Sequence, residues 1–280
     1  MDSRIQLARN ELPELTAKEK NSPYADYYYR TIAEPPPEIL AAFQPDKPMD
    51  PAKAILPEDM GMFADPNCPD PEMGYCKLPG GGGYSCVVAK MPGMKKEHFD
   101  FRLRLVLADH FGFVIEYPGF HLEHYDGMCI EDFAEGQMHA LILDRCYSPA
   151  ELGLSVNPAD VNPKILGFMV KEADVIPLEG PIDPHRGLNT LAFVMRQMEN
   201  GIEYWAFAYS GIHVENGKAV TKLAPGEVVT EEKCRLRGLH HAYEYANEAQ
   251  ILPALYDLYG QEDLPGAKPW PERYRFLQHS

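Results

Sequence analysis

The sequence has no uninterrupted apolar stretch approaching the roughly 20 residues of a membrane span, so a spanning helix is not expected. From Met1 to Glu19 it mixes charges with apolar side chains and lacks the continuous apolar core of a secretory signal. It also lacks a cluster of Lys and Arg. With a formal net charge of -16, the chain has no massed cations to displace counterions from a phosphate backbone, and no nucleic-acid partner is expected. Six cysteines occur at Cys68, Cys76, Cys86, Cys129, Cys146 and Cys234, none of them in a CxxC pair. Zinc knuckles and dithiol redox motifs are thereby excluded, leaving isolated thiols in a reducing compartment. The acidic balance suits a soluble cytoplasmic protein that does not bind anionic membranes.

What is present is enough apolar material for a folded protein: 280 residues, 45% of them hydrophobic, allow one large core or a core with a smaller appendage. The first 83 residues are rich in turn formers, including Pro35-Pro36-Pro37 and Gly80-Gly81-Gly82-Gly83, and predict a loop-rich cap with short helices. One such helix is expected from Ser22-Pro23, with Ser as N-cap and Pro as first helical residue, through Tyr27, Tyr28 and Tyr29. The tetraglycine run is followed by neither Lys-Ser/Thr nor a GxGxxG helix entry, so it reads as a turn, not a phosphate cradle.

From Tyr84 the pattern becomes strand-like, with runs at 84–90, 111–117, 128–133, 138–144, 165–171, 189–197 and 202–210. Lys95 to His110 contains no Gly or Pro and predicts a short helical excursion. A long helix is expected from about Glu231 to Tyr259, with Leu236, Leu239, Tyr243, Ala246 and Gln250 at spacings of three to four along an apolar stripe. A strand, short helices, a curved antiparallel sheet and a long closing helix is the helix-grip order, an α+β class of the Bet v 1-like or START-like kind. We therefore expect a cap over 1–83 and a helix-grip domain over 84–280, with a small-molecule cavity between sheet and helix.

Two clusters can carry chemistry. In Leu239-His240-His241-Ala242-Tyr243-Glu244, His240 and Glu244 stand four residues apart on the closing helix, so both reach a single ion; a solvent-facing His–Glu pair is the alternative. The spacing is not HExxH, so no zincin protease is indicated. The second cluster is Phe120-His121-Leu122-Glu123-His124-Tyr125-Asp126 with Ile130-Glu131-Asp132. Two histidines with two carboxylates suit zinc or another divalent first-row ion. His98, His110, His139, His185, His213 and His279 show no partner spacing and are expected to be structural or exposed. On the strand around 204, alternation separates Tyr204 from Trp205, Phe207 and Tyr209 without saying which set faces the cavity.

The segments Ser22-Pro23-Tyr24-Ala25-Asp26-Tyr27-Tyr28-Tyr29, Gly74-Tyr75-Cys76, Met91-Pro92-Gly93-Met94, Gly201-Ile202-Glu203, His240-His241-Ala242-Tyr243-Glu244 and Ile251-Leu252-Pro253-Ala254-Leu255-Tyr256 resemble the diacetylphloroglucinol hydrolase and phloretin hydrolase family, in order from about residue 22 to 259. The resemblance implies a helical cap on a helix-grip domain, a homodimer, and a zinc ion held by His and Glu of the sheet together with a HxxxE pair. It further implies hydrolysis of the carbon-carbon bond between an acyl group and a phloroglucinol-type ring. Carried onto this chain, the HxxxE pair is His240 and Glu244; Pro118-Gly119-Phe120-His121 matches the sheet histidine, with His124 as second choice. Glu131-Asp132-Phe133 matches the sheet glutamate, with Asp144 and Glu151 as fallbacks.

The chain departs from the family where the tryptophan-rich segment reads Phe101-Arg102-Leu103-Arg104-Leu105-Val106-Leu107, where the substrate tyrosine falls on Phe113, and where the strand bearing two arginines reads Glu203-Tyr204-Trp205-Ala206-Phe207-Ala208-Tyr209. The expected roles are therefore metal ligation by His121, Glu131, His240 and Glu244, proton handling by His124, Tyr204 or Tyr209, and substrate contact by Phe113 and Trp205. The expected substrate is a small phenolic ketone. A cyclase or isomerase of a polyketide or other phenolic intermediate, and a hydrophobic-ligand carrier, are the competing expectations on the same fold.

Overall fold

The computed structural model describes residues 12–108, 110–125, 128–132, 138–177, 187–223 and 226–260, with the side chains at 107–108, 123–125, 128–132, 138–144, 174–177 and 187–188 excepted. Among its described residues the N-terminal segment forms the short helices α1 (Ala17–Lys20), α2 (Ala25–Tyr28) and α3 (Pro37–Ala42), and 3-10 turns at Pro51–Lys53 and Pro57–Ala64. The capping box of Thr16 and Glu19 opens α1. The tyrosine-rich helix is shorter than expected: Tyr24 occupies the N-cap position, and Ser22 Oγ accepts from the Tyr24 amide.

Strands β1 (Gly74–Lys77) and β2 (Gly83–Met91) follow, then helices α4 (Lys96–Ala108) and α5 (His110–Val114). The sheet continues with β3 (His121–Tyr125), β4 (Met128–Asp132) and β5 (Met138–Tyr147), and after helix α6 (Pro158–Val161) with β6 (Ile165–Pro177), β7 (Gly187–Met198) and β8 (Gly201–Ser210). A small hairpin, β9 (Ile212–Glu215) with β10 (Lys218–Thr221), leads to the long helix α7 (Glu231–Tyr259).

All neighbours in the eight-stranded sheet are antiparallel, in the order β1-β2-β8-β7-β6-β5-β4-β3. The tetraglycine run is the turn between β1 and β2: Leu78 bonds to Gly82, and Gly81 has a φ of 95°, where a side chain is strained. Residues 74–77 of the expected cap thus form an edge strand of the sheet.

The run at 111–117 is helix followed by turn, not strand. Its apolar residues alone do not distinguish the two; what decides is Gly112, where a Cβ would stand 2.8 Å from Leu105, so α5 folds back tightly on α4. The Asn247 amide of α7 donates to the carbonyls of Ile115 and Glu116 at 3.2 and 2.8 Å, tying this corner to the closing helix.

Helix α7 matches its expected span, opened by Thr230, whose hydroxyl accepts from the Lys233 amide. Its surroundings differ from a single apolar stripe. Residues 234–245 are all buried, while Ala246 and Gln250 of the expected stripe are half-buried and exposed. The cause is that α7 packs in one core with the inner sheet face and with N-terminal residues such as Tyr24, Ile39 and Phe43. The opposite sheet face carries a second core, where Trp205, Phe207 and Tyr209 meet Met60, Phe63 and Leu152. No helix among the described residues is long and apolar enough to cross a membrane.

Candidate metal centre

Three elements deliver the candidate ligands. Tyr117 and Phe120 close a turn with Pro118 and Gly119 at its corners, Gly119 at a φ of 85°, and this turn launches β3 with His121 as its first residue. Four-residue spacing on α7 stacks His240 and Glu244 on one side of the helix. The ligand atoms of His121, His240 and Glu244 all lie within 4.8 Å of one another, and all three residues are buried.

The contacts fit a cation. His121 Nδ1 lies 3.0 Å from the Phe113 carbonyl, a bond that holds the proton on Nδ1 and leaves the Nε2 lone pair free. That Nε2 lies 3.3 Å from His240 Nε2. Two nitrogens bound at 2.0–2.1 Å to one tetrahedral ion stand about 3.3–3.4 Å apart. Glu244 Oε2 is 3.9 Å from His240 Nε2. Burial drives the pKa of His121 down to about 4 and that of His240 well below the ordinary value, His121 adding to the effect on His240. Both imidazoles are therefore neutral at neutral pH, the state that binds metals.

Beside this cluster sits a second one that spacing did not reveal. Arg102 of α4 donates from Nε to Glu248 at 2.6 Å and from Nη2 to Glu116 and Glu244, each at 3.0 Å. Burial pushes the carboxyls of Glu116 and Glu248 up to about 8 even against the pull of Arg102. Glu116, Glu244 and Glu248 also converge closely enough to hold an ion, but the guanidinium already supplies the cation there. Glu248 extends the His240, Glu244 spacing by four more residues, so that signal was in the sequence. Nothing in the sequence placed Arg102 or Glu116.

A cavity of ≈ 160 Å³ adjoins the cluster and shares Glu244 and Arg102 with it. Its aromatic wall includes Phe99, Phe113, Phe193 and Tyr204. Tyr204 stacks on Phe99 at 4.7 Å and on Phe193 at 5.7 Å, and burial raises its hydroxyl pKa so that it keeps its proton. Phe113 lies parallel to the His121 ring at 3.9 Å, which joins the cavity wall to the ligand cluster.

Residues 126–257 match the family model described as the DAPG hydrolase PhiG domain. Over this stretch, just under half of the 280 residues, the chain is similar to the DAPG hydrolase family. No curated protein matches it. The DAPG hydrolase match begins after His121 and ends within α7, so it takes in His240 and Glu244 but not the turn that brings His121 to them.

Of the expected site residues, His121, His240 and Glu244 come together, and Phe113 and Tyr204 line the cavity. Phe113 does so from α5, not from a strand. Trp205 and Tyr209 need correction: strand alternation sends them to the opposite face, where Trp205 Nε1 donates to Glu203 at 2.9 Å and the Tyr209 hydroxyl donates to the Ile55 carbonyl at 2.6 Å. Neither reaches the cavity. The Cα of Glu131 is the ladder partner of His121 across β3 and β4. The side chains of Glu131, His124 and the fallback Asp144 lie outside the described part of the structure. The other fallback, Glu151, bonds to Ser148 in an exposed turn.

Proposed function

We propose that this chain is a metal-dependent hydrolase that cleaves the bond between an acyl carbon and a phenolic ring carbon, on a helix-grip domain. The observation that carries the reading is the convergence of His121, His240 and Glu244 within 4.8 Å beside an aromatic-walled cavity. The family match supports the hydrolase class. Antiparallel strands packed on α7 support the helix-grip assignment, with residues 1–83 as a cap that lends β1 to the sheet. The homodimer implied by the resemblance, and the cytoplasmic location expected from the acidic composition and isolated thiols, enter as parts of the same proposal.

In this reading His121, His240 and Glu244 are ligands, and Glu131, the ladder partner of His121, is the fourth. A divalent ion of the zinc type held by them supplies Lewis acidity toward a ketone oxygen or a water molecule. The rest falls to the chain. Phe99, Phe193 and Tyr204 hold a flat ring, and Phe113 keeps the His121 imidazole in plane beside it. An engineered apolar cavity of about 150 Å³ holds benzene, so the ≈ 160 Å³ here accommodates one ring. Water adds to the acyl carbon, the acyl-to-ring bond breaks with its electron pair going to the ring carbon, and that carbon takes a proton. The products are a carboxylic acid and the deacylated phenol. Tyr204, its hydroxyl held protonated by burial, is the proposed donor, with His124 as the second group for that proton.

The test is elemental analysis of dialysed protein together with acid release from acyl-phloroglucinols. About one equivalent of zinc or a similar ion per chain, and its loss from folded His240→Ala and Glu244→Ala, are expected. Full metal content in both variants sinks the ligand assignment; a phenolic product of unchanged mass sinks hydrolysis in favour of an isomerase.

A further inference from the structure

Four residues of α7, Arg237, His241, Glu244 and Tyr245, line the cavity, and their spacing puts them along one face of the helix. His241 follows His240 directly, and a step of about 100° around the helix gives the two imidazoles different tasks. His240 meets the His121 ring, while His241 stacks on Tyr245 at 5.7 Å and turns an edge to Phe193 at 6.5 Å, both of them cavity residues.

His241 is 3% exposed, and its Nδ1 has no hydrogen-bond partner among the described residues. A buried polar atom in that state costs free energy unless a ligand or water meets it. The helix and the aromatic stack fix the ring, so what satisfies the nitrogen has to enter the cavity. A hydroxyl suits it best, because it donates to a bare nitrogen and accepts from a protonated one, whereas a carbonyl or an ether oxygen only accepts.

Building on the hydrolase reading above, we propose that His241 is a specificity-determining residue, whose Nδ1 hydrogen-bonds a hydroxyl on the ring held between the sheet and α7. It selects hydroxylated rings over their methyl ethers, a task distinct from metal ligation by its neighbour. Position on the helix, burial, the unpartnered nitrogen and the aromatic clamp all bear on the same atom.

The experiment compares binding of resorcinol and of 1,3-dimethoxybenzene to the metal-loaded protein by titration calorimetry. Wild type is expected to favour resorcinol by about tenfold, the usual effect of one buried hydrogen bond. His241→Leu is expected to bring the two affinities within about threefold while metal content and melting temperature stay at wild-type values. In His241→Asn the shorter amide returns a polar atom near the Nδ1 position, and part of the preference should return with it. No preference in wild type, or an undiminished preference in His241→Leu, overturns the inference. The hydrolase reading fails on different evidence: absent metal, or no acid released from acylated substrates.

Discussion

Replacing Arg102 with Met removes one cation from three carboxylates, and the consequence depends on pH in a direction the structure fixes. The guanidinium contacts Glu248 at 2.6 Å and Glu116 and Glu244 at 3.0 Å each. Removing one member of a buried ion pair costs about 3–5 kcal/mol, because the remaining charge is left in a medium that solvates it poorly. Glu116 and Glu248 have folded pKa values of about 8 against a usual value of about 4.3 for glutamate.

The folded state thus holds their protons more tightly than the unfolded chain does. Their contribution is fully present below pH ~4 and is lost as pH rises through the window to ~8, at about 1.4 kcal/mol per pH unit for one group. With two such groups, metal-free wild type is therefore expected to lose roughly 4–5 kcal/mol between pH 6 and pH 8. In Arg102→Met the pull that lowered both carboxyls is gone, so the window extends to higher pH and the variant keeps losing stability where wild type levels off. The deficit should be small at pH 5, where Glu116 and Glu248 carry protons, about 1 kcal/mol at pH 8, where each is half ionised in wild type, and about 3 kcal/mol at pH 9. Urea unfolding of the metal-free proteins, followed by circular dichroism at pH 5, 8 and 9, measures it. A deficit that does not change with pH, or one under about 1 kcal/mol at pH 9, refutes the reasoning.

The two sheet faces are separable by substitution: Tyr204→Phe should leave stability within about 1 kcal/mol but slow product formation, whereas Trp205→Phe should cost about 1–3 kcal/mol and leave the rate of folded enzyme unchanged. A rate loss in Trp205→Phe without a stability loss would contradict the assignment of faces. At Gly238 an added Cβ would fall 2.0 Å from the Phe43 ring, so Gly238→Ala should destabilise by about 1–2 kcal/mol despite the better helix former. Adding Phe43→Leu should recover part of that loss in a urea double-mutant cycle. Chelator competition on His121→Ala should show metal affinity reduced at least tenfold, and wild-type affinity there would remove His121 from the ligand set.

Local chemistry written in the sequence determined the elements that depend on near neighbours. The span of α7 follows from a Thr cap and a long periodic run, and the pairing of His240 with Glu244 follows from the helical repeat alone. The tetraglycine turn and the strands β2, β7 and β8 are likewise local, since turn formers and a period of two need no knowledge of the rest of the chain.

Tertiary structure decided whatever depended on what packs against what. Alternation along β8 separated Tyr204 from Trp205, but only the presence of α7 on one face and Met60 and Phe63 on the other settled which residue meets the cavity. The fold of 111–117 was set by close packing on Leu105, because a short apolar run satisfies either helix or strand. The meeting of His121 with His240, 119 residues apart, and the placing of Arg102 among three glutamates are long-range contacts. Residue spacing cannot encode them, because they exist only once the sheet, the α4–α5 corner and α7 have closed on one another.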